Sequence, residues 1–189
     1  MTTNHPRELK ERAKEIKSRL TAEEREALLI KLWMSHDARW FAASAFAHGM
    51  EAANRTNQTA VHEAGKAEAR RLARALEMEP VNDRDGFMAA QEAFIEILGP
   101  DLLDYELADA GDDAYDLRIS RCFAFEQVTK AGVAQHYDCG ILPRVTGWLE
   151  GLELEHALEP PVGPCLMAAG KECVYRITVR PRAEAAEAS

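Results

Sequence analysis

The spacing of apolar residues changes once along this chain, close to residue 100, and that change constrains the fold more than any single residue does. Before it, apolar side chains recur at the interval of one helical face; after it, they alternate with polar ones as on a half-buried strand. Leu9, Ala13, Ile16 and Leu20 make a thin stripe on a charged first helix that Pro6 is suited to begin, with residues 1 to 5 loose ahead of it. Thr21-Ala22-Glu23-Glu24 is a capping box, so a second helix is expected through Leu28, Leu29, Leu32 and Trp33 to about His48, where Gly49 stops it. A third is expected from Asn54 or Asn57 to Leu76, with small residues such as Ala60, Ala64 and Ala67 that let another helix approach closely. A loop over Pro80 and Asn82 to Asp85 precedes a fourth helix, on which Phe87, Ala90, Phe94, Ile97 and Leu98 share a face before Gly99-Pro100.

Beyond that point Tyr105 to Ala108 and Tyr115 to Ser120 alternate on either side of the turn Gly111-Asp112-Asp113, which predicts a β-hairpin with one buried face. Short helices are expected from Phe123 to about Lys130 and through Trp148 and Leu149, the latter with Pro143 in its first turn. Strands are expected around Leu152 to His156 and from Cys173 to Val179. The alanine- and glutamate-rich tail from Pro181 is expected to be disordered. The fold class is therefore α+β: a helical N-terminal half (1-100) packed on a cysteine-bearing region (101-180) built on a small, mainly antiparallel sheet, the two as one compact unit, then a tail (181-189).

That second region holds all four cysteines, Cys122, Cys139, Cys165 and Cys173, with 16, 25 and 7 residues between successive pairs. None makes a C-x-x-C clip, so any common site has to be assembled by tertiary folding. Cys122 falls at a strand end and Cys139 just ahead of a helix, where the N-terminal dipole favours a thiolate. The net charge of −9 argues against nucleic acid or an anionic membrane surface as partner. With no apolar leader and no window of membrane-spanning length, the chain reads as cytoplasmic, where four cysteines are free thiols, metal ligands or catalytic groups sooner than disulfides.

On the second helix Trp33, His36 and Trp40 lie on one face, either two core anchors with His36 at their edge, or a general base facing a cavity. His62, Glu63 and the Glu68-Ala69-Arg70-Arg71 run read as solvated surface. Arg176 lies on an alternating strand whose register decides whether it meets solvent or the site.

Arg121-Cys122, Asp138-Cys139 and Gly170-x-x-Cys173 leading into Val174-Tyr175-Arg176 resemble the L-2-amino-thiazoline-4-carboxylate hydrolase family. Together with Cys165, His36-Asp37-x-x-Trp40-Phe41 and Glu68-Ala69-Arg70-Arg71, they look closer still to an uncharacterised four-cysteine branch related to it, over residues 33 to 180. The resemblance implies an α+β fold of the 4-vinyl-reductase type whose cysteines can bind a metal centre, and hydrolytic opening of a small sulfur- and nitrogen-containing ring.

Two hypotheses follow. In one, three cysteines, Cys122, Cys139 and Cys173 ahead of Cys165, hold zinc or a cubane (4Fe-4S) iron-sulfur cluster with an open position for a small-molecule substrate, Arg121 or Arg118 clamps a carboxylate, and His36 or His136 moves a proton. In the other, all four thiolates are ligands and the protein is a sensor, carrier or electron-transfer module. A metal-free nucleophilic cysteine and four inert core thiols are the remaining readings. The thin stripe of the first helix is compatible with a homodimer contact.

Overall fold

A computed structural model describes residues 5–182. Among them are six α-helices and one four-stranded antiparallel sheet, in the order α1 (His5–Lys17), α2 (Ala22–His48), α3 (Met50–Ala75), α4 (Arg84–Leu98), β1 (Leu103–Asp109), β2 (Ala114–Cys122), α5 (Phe123–Lys130), α6 (Leu142–Gly151), β3 (Leu154–Glu159) and β4 (Cys173–Pro181). The α+β expectation holds at that level. The looseness expected of residues 1 to 5 concerns positions that, apart from His5, lie outside the described residues, as does the tail beyond 182; Pro181 itself ends β4. Two compact units divide the chain after Arg39, and the second, from Trp40 onward, contains α3 to α6 and the whole sheet.

Local chemistry accounts for most element ends. Thr21 and Glu24 close the reciprocal capping box at the start of α2, with the Glu24 N–H donating to Thr21 Oγ1 (3.1 Å) and the Thr21 N–H to Glu24 Oε2 (2.8 Å). Helix α3 begins at Met50, earlier than Asn54, because Gly49 takes a φ of 83° and ends one helix while its carbonyl accepts the first bond of the next. Asp83 caps α4 by accepting from the Gly86 N–H at 2.7 Å. Arg84 then ties that helix start to the β1–β2 turn through Asp109 (2.7 Å) and the carbonyls of Gly111 and Ala114.

The strands lie in the order β1-β2-β4-β3. Tyr115, Leu117 and Ile119 of β2 and Tyr175, Ile177 and Val179 of β4 point to one face, where Phe87, Ala90 and Phe94 of α4 and Leu142, Val145, Trp148 and Leu149 of α6 complete the core. The register pairs Asp116 with Arg176, which settles the orientation of that arginine: it is on the outer face, forked onto Asp116 at 2.9 and 3.1 Å. The expectation that two tryptophans of α2 anchor a core fails, since no residue of α2 is buried and Trp40 is 63% exposed. The Glu68 run is not all solvated surface either, because Glu68 accepts from Trp148 Nε1 at 3.1 Å and sits 3.7 Å from Arg144.

Helices α3 and α6 meet backbone to backbone. Glycines make this approach possible: a methyl group at Gly147 would collide with the His62 carbonyl, one at Gly65 with the Arg144 carbonyl at 2.5 Å, and one at Gly151 with the Lys66 carbonyl at 2.7 Å. Gly147→Ala is therefore expected to destabilise the fold by about 1–3 kcal/mol, as overpacking in a closed interface does. Gly163→Ala, where nothing stands within 4 Å of an added methyl, is expected to be near neutral. Denaturant melts of the two variants test the contrast; equal midpoints would show that the helices can separate freely.

Candidate metal centre

The four thiols come from four different segments, and each segment has an identifiable reason for delivering its sulfur. Strand β2 buries every second residue from Tyr115 to Ile119, a parity that would turn Arg121 inward and Cys122 out. A bulge reverses it: Asp104 pairs with Arg121 and Tyr105 with Ile119, leaving Ser120 as the extra residue, with its hydroxyl on the Asp104 carbonyl at 3.2 Å. Cys122 thereby becomes a buried residue at the head of α5, while Arg121 faces outward. Cys173 opens β4 on the inward parity shared by Tyr175 and Ile177, opposite Ile119, so it lies at the same end of the sheet as Cys122.

Cys139 and Cys165 are joined by a short antiparallel bridge between Asp138 and Pro164, in which the Cys139 N–H donates to the Gly163 carbonyl (2.8 Å) and the Cys165 N–H to the Tyr137 carbonyl (3.0 Å). Helix α3 grips the same loop. Asn54 Nδ2 donates to the His136 carbonyl at 2.7 Å and Gln58 Nε2 to the Cys139 carbonyl at 3.3 Å, while Gly140 fits between Asn57 and the Tyr137 hydroxyl. Asn54 is itself buried, with its Oδ1 accepting no bond. Cys122 and Cys139 belong to the main core, with Cys173 packed against it. Cys165 joins a smaller cluster with Val128 and Tyr137, and Ala124, Phe125 and Met167 touch both clusters.

Convergence shows in the electrostatics. Burial pushes the Cys139 thiol up to about 11; the N–H groups of Leu142 and Ile141 at the start of α6 pull it back, and the sulfurs of Cys122 and Cys165 add to the rise. Burial likewise raises Cys122, opposed by the N–H groups of Phe125 and Ala124 at the start of α5 and reinforced by Cys165. Burial raises Cys173 to about 12, with Cys139, Cys122 and Cys165 all contributing. The phenol of Tyr175, raised by burial, is in contact with Cys139, and that of Tyr137, also raised by burial, feels Cys139, Cys122 and Cys165. All four cysteines are free, three of them buried and Cys173 half-buried.

Near as they are, the sulfurs do not form a ready cage for one ion: among the described residues no group of three or more His, Cys, Asp or Glu side chains is placed to hold a metal. Four thiolates on one zinc at about 2.3 Å must stand roughly 3.8 Å from one another. A cluster several atoms across asks for a wider ring of sulfurs. Soft thiolate donors, buried and backed by two helix N-termini, fit such a group in chemical type.

The other expected site residues are paired on the outer face or exposed. Arg121 spends its guanidinium on Asp104 (3.0 Å at each carboxylate oxygen) and on the Asp101 carbonyl (2.7 Å). Arg118 is on the outer face with Glu172 at 3.1 Å, and the His136 side chain is exposed. His36 is exposed on α2, in the first unit. Two shallow cavities, of about 400 Å³ at Met78 to Gly86 and about 310 Å³ beside His62 and Pro143, have no cysteine in their walls. Tyr137, Tyr175, Asn54 and Gln58 were not singled out from the sequence; for the amides, the i, i+3, i+4 spacing of Asn54, Asn57 and Gln58 on one helical face was the available signal. Comparison with protein-family models and with curated proteins returns no match to the chain.

In metal-free protein the thiols of Cys139 and Cys173 stay protonated at neutral pH. An unfolded thiol ionises near pH 8.5, about 2.5 to 3.5 units below the folded Cys139 and Cys173, so the unfolded state sheds its protons first. Their contribution to stability is complete below about pH 8.5 and is lost as pH rises towards 11–12. Urea melts at pH 7 and pH 10 are expected to show this fall, and a Cys139→Ser/Cys173→Ser double variant is expected to show less of it; identical pH slopes would contradict the assigned burial.

Proposed function

We propose that Cys122, Cys139, Cys165 and Cys173 together hold one iron-sulfur cluster, and that the protein serves electron transfer or redox sensing instead of hydrolysis. The observation that carries this reading is the approach of four thiols from four segments, in which Cys122 and Cys165 add to the rise of Cys139, and Cys122, Cys139 and Cys165 to that of Cys173. Loading would release their protons, so the energy of ligation adds to the stability of this end of the sheet. Such a cluster supplies one-electron chemistry whose potential is set by burial and by hydrogen bonds to its sulfurs. The chain's own contribution is the dry wall of Ala124, Phe125 and Met167, the N–H groups heading α5 and α6, and the Tyr175 phenol at Cys139.

Full ligation is favoured over an open metal position because the groups a hydrolase would need are engaged elsewhere or turned outward: Arg121 is forked onto Asp104, Arg118 is on Glu172, and the side chain of His136 is in solvent. The likeness to the thiazoline-carboxylate hydrolase family supports a cysteine-bound centre and carries no substrate with it. In the same reading the unit from Trp40 onward is kin to 4-vinyl-reductase-type ligand-binding domains, and the protein works in a reducing cytoplasm where free thiols persist.

Protein purified without oxygen is expected to be brown, with iron and acid-labile sulfide in equal amounts. Cys165→Ser is expected to lose most of that iron, as is Cys139→Ser. Full iron in Cys165→Ser would overturn four-cysteine ligation, and one zinc with no sulfide would overturn the cluster.

A further inference from the structure

Every described side chain from Arg7 to Leu20 is exposed, including the apolar stripe of α1, Leu9 (53%), Ala13 and Ile16 (51%), which Leu20 (39%) continues in the closing turn. A helix of 13 residues is about 20 Å long and marginal by itself in water, so this stripe calls for something to lie on. Charge here runs against that of the chain. The whole sequence has 23 Lys and Arg against 32 Asp and Glu, but as far as Leu20 the balance is six against three. Their placement is ordered as well. At about 100° per residue, Arg12 and Lys17 lie about 70° to either side of the middle of the stripe and Lys10 about 90°, whereas Glu8, Glu15 and Glu11 lie about 105 to 165° away, on the far half with Arg7 and Lys14. Glu11 engages Lys14 there at 2.9 Å, while among the described residues no carboxylate pairs with Lys10, Arg12, Lys17 or, in the closing turn, Arg19.

We propose that α1 lies in the plane of an anionic membrane surface, its stripe in the headgroup region and Lys10, Arg12 and Lys17 reaching lipid phosphates. A helix on such a surface turns one half to lipid and the other to water. Here the lipid half holds apolar and basic groups alone, and all three glutamates are on the water half. Long basic side chains beside a stripe lay their methylenes along it and lift their charge to the level of the phosphates. Three or four apolar residues are too few to hold the helix by area alone, so binding requires negative lipid, and each Lys or Arg at the surface strengthens it about fivefold. The acidic residues nearest in sequence, Glu23, Glu24 and Glu26, belong to α2, beyond the closing turn, and charge more than about 8 Å away is screened at physiological salt. The same arrangement opposes a second copy as the partner. Two such stripes laid together, in either direction, set the Arg12 and Lys17 flanks of one against those of the other, and two heptads are fewer than a coiled coil needs. No helix among the described residues is long and apolar enough to cross a membrane, so α1 is placed along the surface and not through it. The inference is independent of the metal centre.

In vesicle sedimentation the full chain is expected to bind vesicles of equal parts phosphatidylglycerol and phosphatidylcholine about tenfold or more tightly than vesicles of phosphatidylcholine alone, and less tightly as salt is raised. Lys10→Gln/Lys17→Gln and Leu9→Ser/Ile16→Ser are each expected to weaken that binding about tenfold or more, the first through lost charge and the second through lost insertion. Glu11→Gln/Glu15→Gln, on the water half, is expected to bind at least as well as wild type. All these positions are exposed and lie in the first unit, so the cooperative melt of the unit from Trp40 onward is expected to be unchanged in each variant. No binding, or equal binding to the two kinds of vesicle, overturns the proposal, as does binding of wild-type strength by Lys10→Gln/Lys17→Gln or by Leu9→Ser/Ile16→Ser. Binding to soluble poly-L-glutamate as tight as to the anionic vesicles would show contact with an acidic chain instead, and a dimer that Leu9→Ser/Ile16→Ser dissociates would show a second copy; either result overturns it as well.

Discussion

The close approach of α3 and α6 is the constraint from which the rest of the second unit follows. With Gly65, Gly147 and Gly151 in the interface, backbone rests on backbone, and neither helix can slide without driving a carbonyl into a Cα. That fixes the start of α6, and with it the loop from Tyr137 to Ile141 that carries Cys139. The same α3 then reaches past α6 to hold the loop by its carbonyls, through Asn54 and Gln58. One helix therefore positions a neighbouring helix through the absence of side chains and a sulfur-bearing loop through the presence of amides.

The other half of the region is positioned by the sheet. Ser120 is a single extra residue, yet it decides which of two adjacent side chains enters the protein, since strand parity would have put Arg121 inside and Cys122 outside. An inward guanidinium would have found no carboxylate among Tyr115, Leu117, Tyr175 and Ile177; outside, it forks onto Asp104. The bulge thus moves a charge to water and a thiol to the core in one step, and the two outcomes reinforce each other energetically.

Much of this architecture is legible in the chain because it depends on local chemistry. The capping box of Thr21 and Glu24, the hairpin across Gly111, the helix from Phe123 to Lys130 and the final strand from Cys173 all follow from periodicity and end signals a few residues long. Two errors on α2 and α3 have one source. Two tryptophans at helical spacing suggest a buried face, but burial depends on what lies opposite, and Trp40 is largely exposed. Gly49 signals a stop, yet the restart at Met50 uses the backbone carbonyl of that glycine and no capping side chain, so no residue type announces it. At the cysteines, spacing alone shows that any shared site must be tertiary. The bulge at Ser120, the 138–164 bridge and the amides of α3 are pairings between distant segments, and no short-range signal encodes them.

Burial and donor chemistry pull these thiols in opposite directions. The hydrophobic wall around Cys122, Cys139 and Cys173 favours the protonated, inert form, whereas the N–H groups at the heads of α5 and α6 favour the thiolate. Ordinary core cysteines need only the first of these. Thiols meant as nucleophiles would need the second to prevail, and at Cys122, Cys139 and Cys173 burial prevails. Cys122, Cys139 and Cys173 are disfavoured as anions first by burial and then by neighbouring sulfurs. In the proposed function, iron bound by these cysteines would supply a positive charge that offsets both burial and the mutual disfavour of neighbouring thiolates.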